Sequence, residues 1–212
     1  IAPMEAAVGS KEALAAMTAA IRGALSGLLA SLAGDRLGKV TAATAAGNSV
    51  MEHLFLGVSP EPLSRVPYKP AFKEALTIDA GEIGLGLSCE LYLFPLIGGF
   101  VGGDAVAVAL SLGMPGKGRP VLAIDIGTNS EILLSSGGSL YATSAAAGPA
   151  FEGGEVQAGM TAASGAIQGV KIDGDTIILD VIGNLTPKGI CGSGLIEAAA
   201  ALIKAGVIDR TG

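Results

Sequence analysis

An α/β fold of mixed sheets flanked by helices is what this sequence predicts, and three observations predict it. In the N-terminal part, apolar residues recur every three or four positions, the period of a helix face, whereas beyond residue 120 they alternate as strands require. Glycine loops punctuate the chain at Gly98–Asp104, Asp125–Asn129 and Gly189–Gly194. Half of the residues are apolar, but mostly small, with 33 glycines, no tryptophan and eight other aromatics. Small residues let backbones approach closely, which suits helix-on-sheet packing and glycine-lined ligand loops.

Taken in order, Ser10 is a plausible N-cap for a first helix, whose Leu14, Met17, Ile21, Leu25, Leu28 and Leu32 form one apolar stripe ending near Gly34. A strand-like segment over 39–46 follows, and Gly47-Asn48-Ser49 opens a short helix carrying Met51, Leu54 and Phe55. After a proline-rich loop (Pro60 to Pro70), Leu91 to Ile97 reads as a buried strand, and the Gly98–Asp104 loop leads into a helix over 105–112. Met114 to Pro120 is linker-like, so the division falls between residues 118 and 119. Beyond it, 121–126, 131–135 and 140–145 read as three consecutive strands, with no helix after the first turn. Asp173-Gly174 is a hairpin turn between two more alternating runs. A last helix opens at Gly189–Gly194 with Leu195, Ile196, Ala199, Leu202 and Ile203 on one face, and Gly206 is its natural stop.

Composition narrows the functional classes. A net charge of −6 without any Lys/Arg cluster argues against nucleic acid. The mean hydropathy is positive, yet the longest span found, Leu91 to Gly103, has 13 residues broken by Pro95, too short for a bilayer, so the chain reads as soluble. Cys89 and Cys191, with 101 residues between them and no CxxC, read as free thiols of a reducing cytoplasm. The chain begins with Ile and stops just past a helix, so both ends are expected to continue in something longer.

Each glycine loop has two readings. Asp125-Ile126-Gly127-Thr128-Asn129 precedes a strand, which excludes a Walker or dinucleotide loop, since those open a helix. It is either a plain turn or a nest in which backbone N–H groups and the Thr128 hydroxyl meet phosphate oxygens, with Asp125 holding Mg²⁺ through water. Gly192, Ser193 and Gly194 do open a helix, so their N–H groups form an anion site or merely let the helix pack tightly. Asp104 is an N-cap or a base that orients water or a substrate hydroxyl. The single histidine, His53, reads as structural or exposed, and Cys191 as a packing residue.

A strand, Asp-x-Gly-Thr, a second strand, a glycine turn and a third strand resembles the opening of a domain in the actin-like ATPase superfamily, which is ribonuclease H-like in architecture. More narrowly, "GNSVMEHLFLG", "PLIGGFVGGD", "AIDIGTNSEI", "AAGPAFEGGEVQAGM" and "GICGSGLIEAAAALIKAGVID" resemble the reductive activators of corrinoid proteins, from about Val40 to the last residue. Those are ferredoxin-linked ATPases that return cobalt(II) to cobalt(I). The resemblance implies ATP and Mg, a [2Fe–2S] cluster in an N-terminal domain outside this chain and a corrinoid protein as partner; it allows a homodimer, and nothing is expected to be tightly bound to this chain itself. It makes 1–118 the middle region, the latter part of a first actin-like half, and 119–212 the start of the C-terminal ATPase-like domain. Asp104 then resembles the aspartate facing the transferred phosphate, Asp125, Gly127, Thr128 and Asn129 the second phosphate loop, and Gly192, Ser193 and Gly194 a further nucleotide contact, while Glu152 matches the pattern without a role. The first phosphate loop, the cluster's four cysteines and the adenosine loop are not in this sequence, so the chain is expected to be inactive alone. A small-molecule kinase, an activator of 2-hydroxyacyl-CoA dehydratases and a non-catalytic docking or dimerisation module are the alternatives.

Overall fold

The computed structural model describes residues 10–116, 118–149, 154, 156–174, 176–209 and 211. Its elements are helix α1 (Lys11–Ala33), strand β1 (Ala43–Ala45), helix α2 (Ser49–Leu56), β2 (Leu76–Asp79), β3 (Glu90–Leu93), helix α3 (Gly103–Ser111), β4 (Val121–Asp125), β5 (Asn129–Ser136), β6 (Ser139–Ala146), β7 (Ala166–Asp173), β8 (Thr176–Val181), β9 (Gly189–Ile190) and helix α4 (Gly192–Lys204). Three sheets of three strands run in the orders β1-β3-β2, β4-β5-β6 and β8-β7-β9. The first is mixed, β3 lying parallel to β1 and antiparallel to β2, and so is the third, β7 lying antiparallel to β8 and parallel to β9.

Two compact units result, Ile1–Asp125 with Glu131–Ser144, and Ile126–Ser130 with Ala145–Gly212. In the first, Leu91 and Leu93 of β3 bury beside Phe55 of α2, and Ile21 and Leu29 of α1 pack on the same cluster. Each fully buried leucine contributes about 2 kcal/mol. A second cluster joins Val101, Ala105 and Ala109 around α3 to Leu133 of β5, so α3 lies on the β4-β5-β6 sheet.

Several predicted features are found. Ser10 caps α1, its Oγ accepting from Ala13 N at 3.0 Å. Asn48 caps α2 by accepting from Met51 N at 2.9 Å. Residues 121–146 form the three consecutive strands, the first two antiparallel with Asp125 opposite Glu131. Gly206, at φ 72, follows the last helix, and both cysteines are free.

Other features differ. The predicted stripe of α1 is rotated: Leu28 and Leu32 are exposed, while Thr18 is buried with its hydroxyl donating to Leu54 O at 2.8 Å. On α4, Ile196 and Ile203 are exposed, and Gly192 and Gly194 are the buried positions. Strand β2 lies between the proline-rich loop and β3, where the sequence offered no element, and the 39–46 strand shrinks to β1. The third hairpin turns one residue later than predicted, because Asp173 pairs with Thr176. Among the described residues the candidate membrane span is not Leu91–Gly103 but Lys11–Lys39, helical and apolar enough by length and composition to cross a membrane. Alanines make its hydropathy without forming the leucine-rich run by which spans are recognised. In the structure this helix docks on α2 through Thr18 and through Arg22 Nε, which donates to Phe55 O at 2.8 Å.

Candidate functional site

In the first unit the candidate site begins at α3. Gly102, not Asp104, occupies its N-cap, and it makes no side-chain cap bond. Asp104 is the second helical residue, and its Oδ1 accepts from the adjacent Ala105 N at 2.8 Å, so the N-cap reading of Asp104 is corrected. The start of α3 needs glycine for steric reasons. A Cβ on Gly102 would stand 2.5 Å from both Asn48 Cα and Gly47 O, and one on Gly103 would collide with Glu52 Oε1 and Phe94 Cβ. That close seating presents a short carboxylate at the positive end of a helix.

Asp125 ends β4 with an exposed side chain, paired in register with Glu131 on β5. Glu131 accepts a hydrogen bond from Ser144 Oγ at 3.1 Å. Burial pushes the Glu131 carboxyl up from its usual range, and the nearby negative charges of Asp104 and Asp125 push the same way. The three carboxyl groups therefore share one electrostatic environment, although Asp104 and Asp125 come from different elements. Glu131 was missed in the sequence, where a single glutamate in a strand looks like a solvated face. The signal was the tight turn after Asp125, which sets that residue opposite Glu131.

Behind α3 lies a second missed group. Glu52 is 2% exposed, and its Oε1 accepts from Gly47 N at 3.1 Å. Among the described residues, Glu52 Oε2 is the buried side-chain oxygen without a partner. Burial, followed by the charge of Asp104, pushes its carboxyl up to about 7 against the Gly47 bond. His53 is structural, as one of its readings held: it is fully buried, stacked on Phe72, with Nδ1 at 2.6 Å from Ser49 O and Nε2 accepting from Ala71 N at 3.0 Å. Those partners assign the proton to Nδ1, and burial pushes the ring's pKa down.

In the second unit, the turn Gly127-Thr128 is held by its carbonyl: Thr128 O accepts from Ala147 N and Gly148 N, each at 3.0 Å. No helix starts there. The start of α4 carries Cys191 at the N-cap, buried, with Ser193 Oγ 3.3 Å from its sulfur. The Ser193 hydroxyl and the amides of Gly194 and Ser193 hold the Cys191 thiol below its usual range. Gly194 permits the closest packing in this unit, since a Cβ there would collide with Ile167 O and lie 2.9 Å from Ile190 Cγ1. Glu152 lies outside the described residues.

Three short sheets, two of them mixed, with flanking helices, and an Asp-x-Gly-Thr hairpin whose first strand ends in the aspartate, define an actin-like (ASKHA) protein. Residues 119–212 match the family model for the C-terminal domain of RACo, the ASKHA domain, and residues 1–117 match the RACo middle region. The chain belongs to the RACo family. It is 39% identical over 168 residues to the corrinoid activation enzyme RamQ of Eubacterium limosum, a match covering 78% of this chain and 28% of that one. It is 35% identical over 145 residues to the Co(II) methylated amine-specific corrinoid protein reductase of Methanosarcina barkeri, covering 58% and 27%. A solved reductive activator for a corrinoid, iron-sulfur protein superposes with a TM-score of 0.79 at 33% identity, covering 99% of this chain and 34% of that one. The chain thus spans only 28% and 27% of the two curated relatives' lengths.

Proposed function

We propose that this chain is part of an ATP-dependent reductive activator that returns a corrinoid protein's cobalt(II) to cobalt(I), one electron per cobalt, supplied through a [2Fe–2S] domain of the intact protein. The observation that carries the reading is the pairing of Asp125 opposite Glu131, whose carboxyl also feels the charge of Asp104, in the first unit of a RACo-family chain. Such a negative field fits a divalent cation. Among the described residues no three carboxyl, Cys or His groups are arranged to grip an ion directly, so Asp125 would hold Mg²⁺ through water, as Mg²⁺ prefers beside phosphates. Mg-ATP, when bound, supplies the free energy of hydrolysis.

The chain's own residues then divide the work. Asp104 orients the attacking water from the start of α3. The amides of Gly127 and Asn129 and the Thr128 hydroxyl receive phosphate oxygens, and the start of α4 at Gly192, Ser193 and Gly194 offers further N–H groups. The family-model boundary puts Asp104 in the middle region and this loop in the C-terminal domain, whereas by compactness residues 119–125 and 131–144 belong to the unit that bears Asp104. Two free cysteines suit a reducing cytoplasm.

The test is anaerobic reduction of the cobalt(II) corrinoid protein by the intact protein, followed by absorbance, with and without Mg-ATP. ATP-dependent appearance of cobalt(I), abolished by Asp125→Ala, supports the reading. Reduction at the same rate without ATP, or phosphoryl transfer to a small acceptor instead, overturns it.

A further inference from the structure

We propose that Glu52 is the positioning residue for Asp104: its carboxyl group, wedged between the Gly47 loop and the glycine pair at the start of α3, sets where that helix carries its aspartate. The inference rests on the role given to Asp104 above. Glu52 belongs to none of the glycine loops and faces no solvent.

The geometry runs through a single residue. Gly47 N–H donates to Glu52 Oε1 at 3.1 Å, and Gly47 O accepts from Asp104 N at 3.1 Å. Glu52 and Asp104 therefore hold the two ends of one glycine. Gly102 seats against Gly47 O and Asn48 Cα, and Gly103 leaves room for the Glu52 carboxyl that a Cβ would occupy. Ser49 Oγ donates to Gly98 O at 2.7 Å and ties the start of the α3 loop to the same turn of α2. A displacement of the Glu52 carboxyl thus moves Gly47, and Gly47 moves the Asp104 amide.

The unpartnered Glu52 Oε2, buried at the N-terminus of α3, indicates what would cause such a displacement. A neutral carboxyl tolerates this place, whereas an ionised one must draw in water or shift, since a buried carboxylate oxygen without donors is strongly disfavoured. The charged group facing it is Asp104 on α3; Glu131 on β5 and Asp125 on β4 lie in turn within the field of Asp104. His53, on Glu52's own helix, is engaged at both ring nitrogens and does not offset the charge. Ionisation of Glu52 therefore loosens the seat of Asp104.

The experiment compares full-length wild type, Glu52→Gln and Glu52→Leu. Glutamine keeps an acceptor for Gly47 and cannot ionise; leucine removes the acceptor. For Mg-ATP hydrolysis between pH 5.5 and 8.5, wild-type kcat should fall above pH ~7, following the Glu52 titration. The Gln variant should hold its acid-side kcat throughout, and the Leu variant should lose roughly tenfold or more in kcat with KM for Mg-ATP within about twofold of wild type. An unchanged pH profile in Glu52→Gln, or an undiminished kcat in Glu52→Leu, overturns the proposal. A wild type without ATPase activity refutes the functional reading instead, and the amide signals of protein labelled with ¹⁵N-glycine and ¹⁵N-aspartate then decide. Gly47 and Asp104 should titrate together in wild type and neither should do so in Glu52→Gln; a Gly47 titration that leaves Asp104 still overturns the coupling. Both of these readouts stand if the Leu variant fails to fold.

Discussion

Replacing Glu52 by glutamine should stabilise the protein above neutrality and remove part of its pH dependence. Burial pushes the folded-state carboxyl up from 4.5 to about 7, so the folded protein retains a proton that the unfolded chain releases. Below pH 4.5 both states are protonated and Glu52 costs nothing. As pH rises from there, the folded state loses about 1.4 kcal/mol per unit relative to the unfolded one, until Glu52 ionises in both. Across the interval from 4.5 to 7 the loss is roughly 3 kcal/mol. With the side chain 2% exposed, water screens little of this. Glutamine has the same shape, keeps the Gly47 bond and carries no charge at any pH. The two proteins should therefore be matched in their pH trend below pH 4.5, and the variant's relative stability should grow by about 3 kcal/mol by pH 8. That corresponds to roughly 6–12 °C in Tm for a region of this size. Calorimetry of both proteins in steps of about half a pH unit measures it, because the difference cancels other titrating groups. A gap that stays constant with pH, or widens toward acid, would refute the reasoning.

Other predictions concern the site and its scaffold. Asp104→Asn in the intact protein should lower the ATPase rate with little change in nucleotide affinity; since Gly102 is the N-cap, no capping bond is at stake, and an unaltered rate removes Asp104 from the mechanism. Gly194→Ala should destabilise the protein by about 2 kcal/mol, an overpacking cost of ~3 kcal/mol against Ile167 and Ile190 outweighing the ~1 kcal/mol that alanine gains in helix propensity. Urea unfolding that leaves the midpoint unchanged would contradict the packing described. The 212-residue chain by itself should bind Mg-ATP no better than roughly millimolar, because by resemblance it lacks most nucleotide contacts. Micromolar binding by calorimetry would show a site complete without other segments.

The hairpin from Val121 to Ser136 was legible because its information is local: alternation sets the strands, and Gly127 to Asn129 forms the turn. The caps at Ser10 and Asn48 were legible for the same reason, each side chain bonding an amide three residues on. The inner faces of α1 and α4 were not. A leucine stripe and a stripe carrying Thr18 lie side by side on α1, and only the carbonyl of Leu54 near the C-terminal end of another helix makes burying Thr18 favourable. On α4, a gap just wide enough for Gly194 against Ile167 turned the glycine edge inward. Glu52 and Glu131 were passed over because a glutamate on a helix or strand is ordinarily solvated. Their burial depends on neighbours contributed by distant segments.

By itself, then, the sequence determined the actin-like family, the order of the elements apart from β2 and β9, and the Asp-x-Gly-Thr turn, since motifs, caps and periodicity act over a few residues. Tertiary structure alone decided that Asp104 stands at the second position of α3 rather than capping it, that Glu131 lies in the field of Asp104 and Asp125, and that Glu52 grips Gly47 while Gly47 holds Asp104. The physical reason is distance along the chain. Packing brings together groups that share no local pattern, and the desolvation that shifts a carboxyl's proton affinity exists only once they are buried.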